Sequence, residues 1–323
     1  MRAVVHIITK FEGVTGGGVQ RAILLGKMLA RHARVKLWST HVPHPDVLKQ
    51  ANVTTIEPLR LQFPRSGTFV VVGSYVHVGR WIRWARPQRK IVILNTEAPD
   101  EARRLCGALA ATGGPHCDIV YADEELRDGI GIPGTVQLSP IDIERFRPAG
   151  RPAGAGFTVG RMSRDYRYKF HETGPDLFRR MAGCGMTVRI MGGTCLAGEL
   201  QGVESVALKP TGAESAVDFL HSLDCLLYRT RSDWYETFGR VVFEAMACGL
   251  PVICGARGGY AKYIKHGVNG YLFDDDDEAA KILLRLRDDA RLRADIGRNA
   301  RGTVERMYGP QFEEEIARYY VPR

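Results

Sequence analysis

Twelve short apolar runs, most of them rich in β-branched residues, alternate with stretches of helical period along the chain. That alternation constrains the fold more than any other feature. The first half holds Val4–Ile8, Val35–Trp38, Phe69–Val72, Ile91–Leu94, Ile119–Tyr121 and Val136–Leu138. The second holds Phe157–Val159, Val188–Met191, Ser205–Leu208, Cys225–Tyr228, Val252–Ile253 and Tyr271–Phe273. Between them lie amphipathic helix candidates such as Val19–Ala30, Ala102–Ala111, Asp176–Ala182, Val241–Met246 and Ala279–Leu286. Continuous apolar strands separated by helices predict parallel sheets covered on both faces. The pattern restarts once. Pro148–Gly156 has no bulky apolar residue and is rich in Pro and Gly, and Phe157–Arg161 then reads as a new first strand. The expectation is an α/β chain of two doubly wound domains, 1–150 and 151–323, facing a cleft. Ligands would bind at the carboxyl ends of the strands.

A length of 323 residues suits two domains, and 45% hydrophobic with 25% charged residues excludes collagen-like, coiled-coil and disordered chains. No run reaches the roughly 18 apolar residues of a spanning helix. The stretch Met1–Ile8 is short, lacks a small-residue cleavage site and soon meets Lys10, so it reads as a buried strand and not a signal peptide. Cys106, Cys117, Cys184, Cys195, Cys225, Cys248 and Cys254 are odd in number and form no Cys-x-x-Cys. They read as small core residues of a protein in a reducing cytoplasm. The net charge of +9 is uneven: residues 1–150 hold 20 Lys and Arg against 13 Asp and Glu, and residues 151–323 hold 25 against 23. The first half therefore suits an anionic partner, a membrane surface or an acidic acceptor, or else is a basic soluble surface without one.

The densest chemistry lies in Tyr235–Pro251. Glu236 falls in the loop after the Cys225–Tyr228 run, and Glu244 falls eight residues later inside the next helix, which Gly249 and Pro251 end. Thr237, Phe238 and Gly239 would offer backbone N–H groups where that helix begins, a place that stabilises anions. The segment resembles the E-x7-E region of retaining GT-B glycosyltransferases, family 4 (glycosyl transferases group 1). It follows that family's pattern E-x-F-G-x-x-x-x-E-A-M-A-x-G-x-P. The resemblance implies a GT-B fold of two Rossmann-like domains. The first would lie on the acceptor side and the second would bind a nucleotide-diphosphate sugar. By the same resemblance, Glu236 contacts the donor sugar, Phe238 and Gly239 touch sugar or phosphate, and Glu244 holds the ribose.

Other segments match in the same order. Gly160-Arg161 followed by Lys169 resembles the family's G-R-x-x-x-x-K-G stretch, with a longer spacing, and implies two cations on the donor diphosphate. Fixed cations there stabilise charge that builds as the glycosidic bond breaks. Gly16-Gly17-Gly18 opens a helix after the first strand and resembles the family's glycine loop, so Gly17 and Gly18 are expected near donor phosphate or acceptor. A nicotinamide enzyme would need an acid at the end of the second strand, and Val35–His41 has none. Pro140–Pro148 resembles the segment closing the first domain. Gly258 and Gly259 match a glycine pair that borders the nucleotide, without the usual Glu, and Asn269-Gly270 is ordinary turn chemistry. Where many members have a His after the fourth strand, this chain has Asn95 and Glu97. Either would hydrogen-bond sugar there, unless Thr96 or Asp100 simply caps the next helix.

His41 and His44 lack a third ligand and read as loop residues. The run Asp274–Glu278 reads as the acidic start of the helix from Ala279. The resemblance to GT-B enzymes, which generally need no metal, implies no metal or other cofactor. Arg80–Arg86 interleaves Arg with Trp, as either a packed helix with a basic face or a helix lying on an anionic membrane. No nucleic-acid motif accompanies the charge. The expected function is transfer of a sugar to an acceptor hydroxyl, carbohydrate or lipid-linked, in polysaccharide, lipopolysaccharide or glycoconjugate synthesis. It is expected in the cytoplasm, with peripheral attachment to the inner face of the membrane. A sugar-nucleotide epimerase or an inactive nucleotide-sugar binding protein would share the architecture.

Overall fold

Parallel strands require a crossover after each one, so every buried run must be followed by chain returning over a face of the sheet. A computed structural model, describing residues 2–13, 16–149 and 156–322, shows this in both halves. The first half contains β1 (Val4–Thr9), α1 (Gly17–Leu29), β2 (Arg34–Ser39), α2 (Pro45–Gln50), β3 (Val53–Thr55), β4 (Ser66–Val72), β5 (Arg86–Leu94), α3 (Pro99–Ala110), β6 (Cys117–Tyr121), α4 (Glu124–Ile130) and β7 (Thr135–Val136). Its strands are parallel in the order β3-β2-β1-β4-β5-β6-β7. The second half contains β8 (Thr158–Met162), α5 (Gly174–Gly183), β9 (Thr187–Met191), β10 (Val206–Lys209), α6 (Ala216–His221), β11 (Cys225–Tyr228), α7 (Arg240–Ala247), β12 (Val252–Gly255), β13 (Tyr271–Phe273), α8 (Asp276–Asp288) and α9 (Ala290–Met307). The helix α10 (Pro310–Tyr320) follows. The second sheet is parallel in the order β10-β9-β8-β11-β12-β13. Both orders are those of Rossmann-like sheets, and each reverses direction beside its first strand.

The expected strands are present, and the short β3 is added to them. Three residues are too few to show a period. The structure divides into compact units differently from 1–150 and 151–323. One unit is Met1–Ile141 with Gly309–Arg323, and the other is Asp142–Tyr308. The expected boundary itself, with Gly150–Ala155, lies outside the described residues. Asp142–Ala149 goes with the second unit because Arg301 Nη1 donates to the carbonyls of Ile143, Phe146 and Ala247 at 2.8–2.9 Å. Helix α10 goes with the first. Ile316 and Tyr320 are buried in a core with Val5, Ile7, Leu25 and Leu29, and the Tyr320 hydroxyl donates to Gln137 Oε1 at 2.7 Å.

Local chemistry explains several smaller expectations. His44 is the N-cap of α2, accepting from the Asp46 amide at 3.2 Å, and so is a loop residue. Asp275 accepts from the Glu278 amide while Glu278 accepts from the Asp274 amide, which starts α8 with a reciprocal cap. Of the seven cysteines, Cys225, Cys248 and Cys254 are core residues and Cys195 is exposed. Arg80–Trp84 is a single 3-10 turn and not an amphipathic helix. Trp81, Ile82 and Ala85 are buried, while Trp84 faces water. Among the described residues no helix is long and apolar enough to cross a membrane.

Candidate functional site

In the second sheet the order reverses between β8 and β11, so their carboxyl ends diverge there and leave room for a ligand. Arg161 near the end of β8 and Tyr228 closing β11 meet at this point. The Arg161 guanidinium carbon lies 3.6 Å over the Tyr228 ring centroid and 5.2 Å from that of Phe170. Arg161 is buried, and its nitrogens donate to the carbonyls of Met162 and Lys169. A desolvated stack of this kind is worth about 2 kcal/mol.

Above it sits an ion pair. Lys169 Nζ donates to Glu236 Oε2 at 2.7 Å, and the Tyr228 hydroxyl donates to the same oxygen at 2.9 Å. The Lys169 ammonium also lies 5.1 Å from the Trp234 ring centroid. Burial pulls the Lys169 ammonium below its usual range, against the restoring charge of Glu236. Burial works against charge on Glu236 too. The Lys169 charge, the two donated hydrogen bonds and the Arg161 charge prevail and hold the carboxyl below its usual range, so it is ionised. Burial, and then the Glu236 charge, push the Tyr228 phenol well up, which keeps it a donor. The structure thus joins Arg161, Lys169 and Glu236 through Tyr228, a residue that the sequence reading took only as the end of a strand.

The glycines next to this pair are required by one aromatic ring. Gly239 has φ +70°, and a Cβ there would lie 2.4 Å from Tyr260 Cδ1. Gly258 has φ +154°, and its Cβ would meet Tyr260 Cε1 at 2.5 Å. Tyr260 is buried, and its one hydroxyl hydrogen lies between the carbonyls of Gly255 and Arg257, each 3.1 Å from the oxygen, which fixes the ring in place. Gly259 closes the loop by donating its amide to the Glu236 carbonyl at 2.9 Å. Gly239→Ala is expected to destabilise the protein by about 3 kcal/mol, from left-handed strain plus overpacking. Thermal denaturation would check this, and an unchanged midpoint would contradict it.

One expectation about this segment is corrected. Helix α7 begins at Arg240 with Gly239 as its left-handed N-cap, so Thr237 and Phe238 precede the helix and do not offer first-turn amides. The Phe238 ring is buried, stacked 4.7 Å from Phe243. Glu244 does not share partners with Glu236. It is buried one turn along α7, accepting from Arg240 Nε at 2.7 Å. Burial raises its carboxyl against the charges of Arg240 and Arg145.

In the first unit, a methyl added at Gly18 would lie 3.7 Å from Asn95 Nδ2, whereas none would touch anything at Gly17. Gly18 and Asn95 are therefore neighbours at the carboxyl edge of the first sheet. Arg21, fully buried one turn into α1, donates to Asn95 Oδ1 at 2.7 Å and to the Gln137 carbonyl at 3.2 Å. The sequence reading missed it. A charged residue among Val19, Ala22, Ile23 and Leu25 was the available signal. Glu97 turns elsewhere, packing at α4 where a methyl on Gly129 would lie 3.1 Å from its Oε1. Neither Thr96 nor Asp100 caps α3, whose N-cap is Ala98.

With this geometry in place, the comparisons define the class: a GT-B fold of the glycosyltransferase type. HepE from Anabaena, solved in complex with UDP-glucose, superposes with TM-score 0.71 at 16% identity, covering 98% of this chain and 99% of that one. A sucrose-phosphate synthase from Thermosynechococcus elongatus superposes with TM-score 0.74 at 16% identity over 99% and 98%. Residues 195–303 match the family model described as "Glycosyl transferases group 1". A D-inositol 3-phosphate glycosyltransferase of Salinispora arenicola is 30% identical over 249 residues, 67% of this chain and 54% of its own length. The spore coat protein SA of Bacillus subtilis is 36% identical over 83 residues, 25% of this chain and 22% of its own. The chain thus spans about half, or less, of the length of these curated relatives.

Proposed function

We propose that this chain is a retaining, metal-independent glycosyltransferase that moves a sugar from a nucleotide-diphosphate sugar to an acceptor hydroxyl. The observation carrying this reading is the largely buried Lys169–Glu236 pair, braced by Tyr228 and Arg161 at the switch point of the second sheet. In this reading Glu236 orients the donor sugar, Lys169 and Arg161 offset the diphosphate charge, and Gly239, Gly258 and Gly259 let the ligand approach the backbone. Glu244, with Thr237 and Phe238, borders the nucleotide. The acceptor oxygen bonds to the anomeric carbon as the bond from that carbon to the diphosphate oxygen breaks. The bonding pair stays on the phosphate oxygen, which takes the acceptor proton. The two cations stabilise the charge developing there, the work a divalent ion would otherwise do. The first unit, with Gly17, Gly18 and Asn95 at one edge, serves a carbohydrate or lipid-linked acceptor. Seven free cysteines fit a cytoplasmic setting.

A thermal-shift panel of nucleotide-diphosphate sugars tests the reading. A true donor at about 100 times its Kd stabilises the folded state by about 2.7 kcal/mol. The matching donor with an acceptor panel should then release nucleotide diphosphate in the presence of a chelator, with the anomeric configuration retained by NMR. Stabilisation by no donor, or conversion of donor without acceptor, would remove the reading.

A further inference from the structure

Four large apolar side chains on two connections of the first unit face water: Leu59 is 100% exposed, Leu61 63%, Trp84 61% and Tyr75 51%. They stand on the connections 56–65 and 73–85, which carry only the 3-10 turns Pro58–Arg60 and Arg80–Trp84 where doubly wound sheets usually place a helix. The two connections form one surface. Phe63 packs 6.0 Å from Trp81 and 6.1 Å from Trp84 between ring centroids, and the Arg86 amide donates to the Arg65 carbonyl at 2.6 Å. Arg60, Arg65, Arg80 and Arg83 are exposed on these segments, and Arg86 is exposed where β5 begins. The single acid in either connection, Glu57, is paired with Arg60 at 3.1 Å.

Leu61 is also strained. Its φ of 55° places a γ-branched side chain in the left-handed region, which Gly or Asn fills more easily. That conformation costs about 1–2 kcal/mol. The Leu61 amide closes the turn on the Pro58 carbonyl, and Glu57 and Gln62 bond across it, but the Leu61 side chain itself packs on nothing in the fold and is left to water.

We propose that this face docks on an anionic lipid bilayer. Leu59, Leu61 and Trp84 enter the boundary between headgroups and acyl chains, and the arginines meet lipid phosphates. Charge complementarity decides the occupant. A few protruding apolar side chains among cations of one sign match a soft anionic interface. Trp at the margin suits the headgroup level. The proposal is independent of the catalytic reading, and donor binding need not accompany it.

Co-sedimentation of the whole chain with phosphatidylcholine vesicles, with and without phosphatidylglycerol, tests it. Binding is expected only to the anionic vesicles and should fall as salt screens the charges. Leu59→Glu should cut the partition coefficient about tenfold or more, and Arg83→Ala about fivefold. Leu61→Gly separates docking from folding. It should raise the melting temperature by relieving strain while lowering the partition coefficient. Absence of binding to anionic vesicles would overturn the proposal. So would wild-type binding by the folded Leu59→Glu and Leu61→Gly variants, or self-association without vesicles that Leu59→Glu abolishes.

Discussion

Replacing Lys169 by alanine is expected to lower kcat by about 10²–10³-fold, the usual cost of removing a fixed group that stabilises transition-state charge. It should also cost stability. The Lys169 and Glu236 side chains are only 8% and 17% exposed, so the variant strands a carboxylate whose ammonium partner stood 2.7 Å away. Breaking such a pair from one side costs about 3–5 kcal/mol. The Glu236 carboxyl is held below its usual range in the folded state. Its contribution is therefore present above the unfolded-state value and is lost as pH falls through the folded one. Acid unfolding of Lys169→Ala should begin from a lower plateau and slope less with pH in that window. The double variant Lys169→Met/Glu236→Gln, which removes both charges, should recover most of the stability and none of the turnover. Steady-state kinetics with denaturant titrations across pH would check both. Recovery of activity in the double variant would show that the pair serves folding alone.

Arg161→Ala should lower kcat by about 10²-fold or more, and Arg161→Lys should not rescue it. The guanidinium carbon lies 3.6 Å over the Tyr228 ring while its nitrogens donate to two carbonyls, those of Met162 and Lys169. A lysine ammonium cannot make that planar, forked arrangement. Without it the Tyr228 phenol loses the cation beneath its ring and the Lys169 carbonyl loses its donor, so the Glu236 site loosens from below. The readout is kcat together with donor affinity by calorimetry. Near wild-type turnover in either variant would end the assignment of a diphosphate role.

Much of this was legible in the sequence because both sheets are built from runs buried on two faces, whose apolar continuity survives without partners in view. Glu236, Arg161 and Lys169 were singled out for a different reason: the segments that hold them resemble the motifs of a known family, and the structure brings the three side chains together. The partners were not legible. Tyr228 looks like the last apolar residue of a strand, and only the register of β8 beside β11 places Arg161 against its ring. Arg21 looks like a solvated cation, and only the packing of α1 on the sheet buries it. The residue that starts α7 was misread because Gly239 adopts a left-handed cap set by Tyr260, twenty-one positions along the chain. Arg80–Trp84 was misread as an amphipathic helix because a period cannot distinguish one short turn from a helix.

Helix α10 belongs to the core of the first unit although it follows the whole of the second. During synthesis, then, β1–β7 leave the ribosome long before the helix that covers α1, whereas 142–308 is an uninterrupted stretch that can close as soon as it is exposed. The usual vectorial order, first domain first, is inverted: the earlier-made half waits with an uncovered flank around Leu25 and Leu29, and nascent-chain chaperones would have their longest engagement there.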